Sequence, residues 1–224
     1  MPSNAAFIVS DSRVVYQEGT RSRSVIIGNT GDNASVIQAW IDSGSEGSQN
    51  SVAPFMISPP VIRLNRGERR ALSIFYNGNP LPKDRESLFW LNLLELQPTP
   101  SNDEQENRLK VAVNLQLKLF YRPSSLTHEQ DAILDKVSFQ LLRESGSTFI
   151  AVENRSPFVV SFSRWDFLLE DGSERTLSNI DMTILPFSGR RYLLSDRKIP
   201  MVTWVRTQVI DDRGGTVLRK FNVK

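Results

Sequence analysis

A chain of 224 residues with a hydrophobic fraction of 39% is long enough for one large or two ordinary domains with real cores. A net charge of +2 is too small for the electrostatic footprint of a general nucleic-acid binder, and no run approaches the ~18 to 20 consecutive apolar residues of a membrane span. The lack of cysteine excludes disulfides, thiolate metal sites and a cysteine nucleophile, while the single histidine, His128 in a polar segment, leaves a histidine-based catalytic or metal centre without a second member.

The N-terminus, Met1-Pro2-Ser3-Asn4-Ala5, lacks a charged region followed by an apolar run, so any export signal is expected to have been removed or never present. From Ala6 to Asn77 the chain reads as short β-runs: Phe7 to Tyr16, Arg23 to Asn29, Ser35 to Asp42, Phe55 to Leu64 and Ala71 to Tyr76. Turn residues separate them, as in Gly28-Asn29-Thr30-Gly31 and Asn65-Arg66-Gly67. Trp40, within VIQAWI, reads as a core anchor. Pro59-Pro60 interrupts its run, which marks an edge, a sharp bend or a cis bond. The arginines at 21, 23, 63, 66, 69 and 70 read as solvated strand edges and turns.

Glu86 to Leu96 alternates poorly and reads as a central strand. It pairs, across the polar loop from Pro98 to Glu106, with the most regular stretch of the chain, NRLKVAVNLQLKLFYRP, residues 107 to 123. There Leu109, Val111, Val113, Leu115, Leu117, Leu119 and Tyr121 hold the odd positions, and Lys110, Asn114, Gln116, Lys118 and Arg122 hold most of the even ones. That is the period of a strand with one dry and one wet face. At ~3.3 Å per residue it spans roughly 45 Å, about twice the usual length, so part of the apolar stripe is available to something other than its own core. Pro123 stops the ladder.

Past a polar hinge near 122 to 130, a second series of β-runs occupies 137–143, 148–153, 158–169, 182–185, 191–194, 202–210 and 217–223. No helical period of 3.6 is sustained anywhere. The expected fold is therefore all-β, two sandwiches with a cleft between them, divided as residues 1–123 and 124–224. Catalysis has little to stand on: there is no nucleophile elbow, no phosphate-cradling glycine loop and no metal-ligand spacing. The carboxylate groups at Asp103, Glu104 and Glu106 and at Asp211 and Asp212 lie in loops and read as solvated. No catalytic residue, metal or cofactor is expected, and binding is the remaining function.

Several pieces resemble the periplasmic pilus-assembly chaperones of the chaperone/usher pathway, the PapD-like family: Ser12 to Tyr16, Gln38 to Ile41, Ser58 to Leu64, Asp84 to Asn92 and above all Lys118-Leu119-Phe120-Tyr121-Arg122-Pro123. They stand in the family's order and cover the first domain, and Val152 to Phe158 and the Asp211-Asp212 turn extend the likeness more loosely into the second. The resemblance implies two immunoglobulin-like β-sandwich domains in an L shape with an interdomain cleft. It implies a chaperone that folds and caps pilus (fimbrial) subunits by donor-strand complementation and delivers them to an outer-membrane usher, in the periplasm. Leu109, Val111 and Val113 match the donated strand, with Leu115 to Tyr121 kept in the chain's own core. Arg13 and Lys118 match the basic pair that anchors the subunit's C-terminal carboxylate, and Glu86, Arg122 and Asp212 match an interdomain charged network. A self-capping homodimer of the free protein is open; no nucleic acid and no membrane insertion are expected. Arg66 departs from the pattern, standing where a proline is often found.

Two other readings compete. A fimbrial structural subunit would be a single incomplete domain, often with a disulfide, and a nucleic-acid-binding immunoglobulin-like module would bind DNA with steep salt dependence.

Overall fold

The structure, a computed structural model, describes residues 7–44, 53–96, 112–127 and 129–224. Contacts divide the chain into two compact units, Met1–Leu81 with Leu88–Tyr121, and Pro82–Ser87 with Arg122–Lys224. The path therefore crosses between units three times, after Leu81, after Ser87 and after Tyr121.

The first unit draws on β1 (Phe7–Val9), β2 (Arg13–Gln17), β3 (Arg23–Asn29), β4 (Ser35–Asp42), β5 (Phe55–Ser58), β6 (Val61–Leu64), β7 (Arg69–Tyr76), β8 (Ser87–Leu96) and β9 (Val113–Arg122). One sheet runs β1-β3-β7-β5 and the other β2-β9-β8-β4-β6. Alternate residues of both sheets make one core, from Val25, Ile27, Leu72 and Ile74 on one side and Ile37, Leu91, Leu93, Leu117 and Leu119 on the other. Tyr16, Phe55, Tyr76 and Tyr121 close one part of it, with Tyr16 and Tyr121 stacked at 6.4 Å and Tyr16 and Phe55 edge-on at 5.5 Å.

The second unit holds α1 (Gln130–Leu134), β10 (Val137–Glu144), β11 (Ser147–Asn154), β12 (Val160–Leu169), β13 (Glu174–Ser178), β14 (Thr183–Ile184), β15 (Ser188–Ser195), β16 (Val202–Ile210) and β17 (Thr216–Asn222). Its sheets run β10-β11-β15 and β13-β12-β16-β17, with β14 also on β12. Trp165 is the centre of its core, meeting Phe139 at 5.4 Å and Tyr192 at 4.8 Å, both edge-on.

The chain is all-β, as its patterning requires, and the differences are local. The run from Phe7 to Tyr16 is two strands, and Phe55 to Leu64 is split at the cis Ser58–Pro59 bond. The polar strand β13 and the single turn α1 carry no apolar alternation and are additions. Trp40 is corrected outright: Ile37 and Ala39 face the core, whereas Trp40 lies half-buried on the opposite face of β4, its Nε1 donating to Asp42 Oδ2 at 3.3 Å. The arginines at 21, 23, 63, 66, 69 and 70 are exposed, with Arg23 on Asp11, Arg66 on Asp32 and Arg70 on Glu68.

Candidate functional site

Strand β9 decides the character of the first unit. Tyr121, Leu119 and Leu117 are buried in the core, Leu115 is half-buried and Val113 is 40% exposed. The apolar parity is unbroken from Tyr121 to Val113, while the burial of the stripe falls off along the strand. Each fully buried aliphatic side chain contributes about 1.5 to 3 kcal/mol, and Val113 forgoes much of that within its own chain. Leu109 and Val111 lie outside the described residues, as do His128 and the polar loop 98–106.

The even residues of β9 face the other way and meet side chains from its neighbours. Lys118 holds its ammonium 5.5 Å from the centre of the Trp90 ring on β8. Arg13, on β2, is buried with its guanidinium 5.6 Å from the centre of the Phe120 ring. Val14 and Tyr16 enter the core, which turns Arg13 to the face that carries Lys118 and Phe120. Both cations of the expected anchor thus stand on adjacent strands, on one face, each over an aromatic ring.

A polar network missed by sequence reasoning fastens this face. Asn92, fully buried on β8, accepts at Oδ1 from Gln116 Nε2 at 2.7 Å and Asn114 Nδ2 at 3.3 Å, and donates from Nδ2 to Asp42 Oδ2 at 2.8 Å. Every member is paired, as a buried amide requires. Three strands, β4, β8 and β9, are stitched together beside Lys118. The one sequence signal was parity: Trp40, Asp42, Trp90 and Asn92 all hold positions that point away from the apolar stripe. Glu95 was also missed. It lies on the core side of β8 after Phe89, Leu91 and Leu93, only 3% exposed, and burial pushes its carboxyl above the ordinary range.

Glu86, Arg122 and Asp212 do come together, all within the second unit. Arg122 Nε donates to Glu86 Oε1 at 2.6 Å, and its two terminal nitrogens fork onto Asp212 at 2.7 and 2.9 Å. Glu86 Oε2 accepts from the Val159 N–H at 2.8 Å, while the Glu86 N–H donates to the Pro157 carbonyl at 2.8 Å. Burial raises the Glu86 carboxyl, opposed by the Arg122 charge and the Val159 N–H. For Arg122 burial works against the charge, but the bonds to Asp212 and the charge of both carboxylates prevail and raise its pKa. Asp212 therefore departs from the expectation of a solvated turn, whereas Asp211 shapes that turn by accepting from the N–H groups of Arg213 and Gly215.

The family described as "Pili and flagellar-assembly chaperone, PapD N-terminal domain" matches residues 6–127, and "Pili assembly chaperone PapD, C-terminal domain" matches residues 132–221. The chain belongs to the PapD-like family of pilus-assembly chaperones. The chaperone protein FimB/FhaD of Bordetella pertussis is 31% identical to it over 219 residues, covering 95% of this chain and 86% of that protein. The probable fimbrial chaperone YadV of Escherichia coli is 33% identical over 191 residues, covering 83% and 76%. The crystal structure of the YadV chaperone superposes with a TM-score of 0.80 at 27% identity, over 97% of this chain and 100% of that one. The Pseudomonas aeruginosa CupB2 chaperone gives 0.78 at 29% identity over the same shares. The two-domain all-β architecture and the class of chaperone are thereby established. Among the described residues, no helix is long and apolar enough to cross a membrane.

Proposed function

We propose that this chaperone works in the periplasm by lending the start of β9 and the residues just before it to a pilus subunit. Leu109, Val111 and Val113 fill the subunit's open groove, and Arg13 and Lys118 hold its C-terminal carboxylate. The loaded subunit then passes to an outer-membrane usher. The observation that carries this reading is the unbroken apolar parity of β9 running from the buried Leu117 and Leu119 to the exposed Val113. Main-chain hydrogen bonding along a strand supplies affinity with little demand on side-chain identity, which suits the handling of several related subunits. Glu86, Arg122 and Asp212 take the interdomain role on this reading. Glu86 lies just before the chain returns to the first unit at Leu88, and Arg122 is the first residue after it leaves at Tyr121, and these places along the chain support that role.

The test is co-expression of the affinity-tagged protein with pilus subunits from its host. Charge-assisted hydrogen bonds contribute about 1.5 to 3 kcal/mol each, so Arg13→Ala or Lys118→Met is expected to lower subunit capture by one to two orders of magnitude while the unfolding midpoint stays near wild type. Equal capture by wild type and both variants would exclude the carboxylate anchor.

A further inference from the structure

Lys118 is a flexible four-carbon stem ending in a strongly hydrated point charge, which by itself fixes no direction. Its surroundings fix one. Trp90 lies beside it on β8, and the ring centre is 5.5 Å from the ammonium nitrogen. Trp90 is itself held at its edge. A Cβ on Gly44 would stand 2.2 Å from Trp90 Nε1 and 2.3 Å from Cδ1 but 3.5 Å from Cε2, so the Gly44 main chain abuts the Nε1–Cδ1 edge of the indole and leaves its face to the lysine. Gly44 adopts φ +67°, and its N–H donates to Asp42 Oδ1 at 2.9 Å. Both requirements admit only glycine comfortably. Asp42 is opposite Trp90 in the β4–β8 ladder and takes the Asn92 amide on its other oxygen. Asn92 in turn receives Gln116, two residues before Lys118 on the same face of β9.

From this chain of contacts we infer that Trp90 is a positioning residue for Lys118. Gly44, Asp42 and Asn92 set the indole, and the indole face holds the ammonium pre-aimed and partly stripped of water for an incoming carboxylate. The aromatic ring stabilises the cation without neutralising it, and it reduces the freedom of the stem. This rests on the assignment of Lys118 as the carboxylate anchor, and the test separates the two.

The probe is a synthetic peptide copying the C-terminus of the subunit that co-purifies with the tagged chaperone, made once as the free acid and once as the C-terminal amide, titrated against the full chain. Trp90→Leu is expected to weaken the free acid about five-fold, which corresponds to about 1 kcal/mol, and to leave the amide unchanged, with Trp90→Phe restoring most of the loss. Equal weakening of acid and amide by Trp90→Leu would overturn the positioning role, since a structural defect in β8 does not distinguish the two peptides. Wild type and Lys118→Met that both fail to discriminate acid from amide would overturn the anchor itself. A measurement on the unaltered protein covers the case in which Trp90→Leu does not fold: the ε-methylene protons of Lys118 should be shifted upfield by the indole ring current. Their appearance at the usual lysine position would contradict the inference.

Discussion

Strands β9 and β12 are each ten residues long, and they treat their apolar stripes in opposite ways. On β12 the inward residues Val160, Phe162, Trp165, Phe167 and Leu169 are buried from end to end, with β13 and β14 on one side, β16 on the other and a register shift near Ser163 that keeps the aromatic residues facing in. On β9 the same kind of stripe is dry only from Leu117 to Tyr121 and emerges at Val113. The comparison separates two uses of one pattern. Alternation states that a face is apolar, and only the tertiary packing determines how much of that face the chain itself covers.

A graded set of substitutions tests that contrast. Phe167→Ala on β12 and Leu119→Ala on β9, both at wholly buried positions, should cost about 3 to 5 and about 2 to 5 kcal/mol respectively, seen as a fall in the urea midpoint at constant slope. Leu115→Ala, at the half-buried step of the gradient, should cost clearly less than Leu119→Ala in the same titration. If Leu115 proved as costly as Leu119, the core would extend further up β9 than its burial indicates. Glu95 offers a different check, because it breaks the apolar parity on the core side of β8. Its carboxyl is raised by burial, so the folded chain takes up a proton at a pH where the unfolded chain does not. Stability should therefore rise as pH falls through the raised value and level off below the ordinary glutamate range. Glu95→Gln should lack that gain, so that its denaturation midpoint, followed from neutral to mildly acidic pH, stays flatter than wild type. The smallest effect belongs to Val113→Ala, expected within about 0.5 kcal/mol of wild type by the same urea measurement, despite its place in the same stripe.

Most of the strands and the apolar parity of β9 were legible because period-2 patterning is local. Residues within a few positions of each other decide it. The division of the β9 stripe into a kept and a lent part came instead from family resemblance. Trp40 was misplaced for the converse reason: bulk and apolar neighbours suggested the core, while parity with Val36, Gln38 and Asp42 placed it outside. β13 stayed hidden because Glu174 to Ser178 is mostly polar, with Leu177 alone packing against the core, and is held chiefly by its ladder to β12. The residues of the charged cluster came from family resemblance. Its geometry did not, since Glu86, Arg122 and Asp212 are joined across 36 and 90 positions of sequence and no spacing rule encodes a forked guanidinium between two carboxylates. The Gly44–Trp90 contact was equally invisible, because nothing local to Ser43-Gly44 points to an indole on another strand.

A single variant puts the lending of β9 at risk, Val113→Asp, with thermal unfolding and subunit capture measured on the same preparation. A side chain that serves only a partner should accept the charge with an unfolding midpoint close to wild type while capture of the subunit collapses. A large fall in the midpoint, or capture that persists undiminished, would contradict the assignment of Val113 to another polypeptide's core.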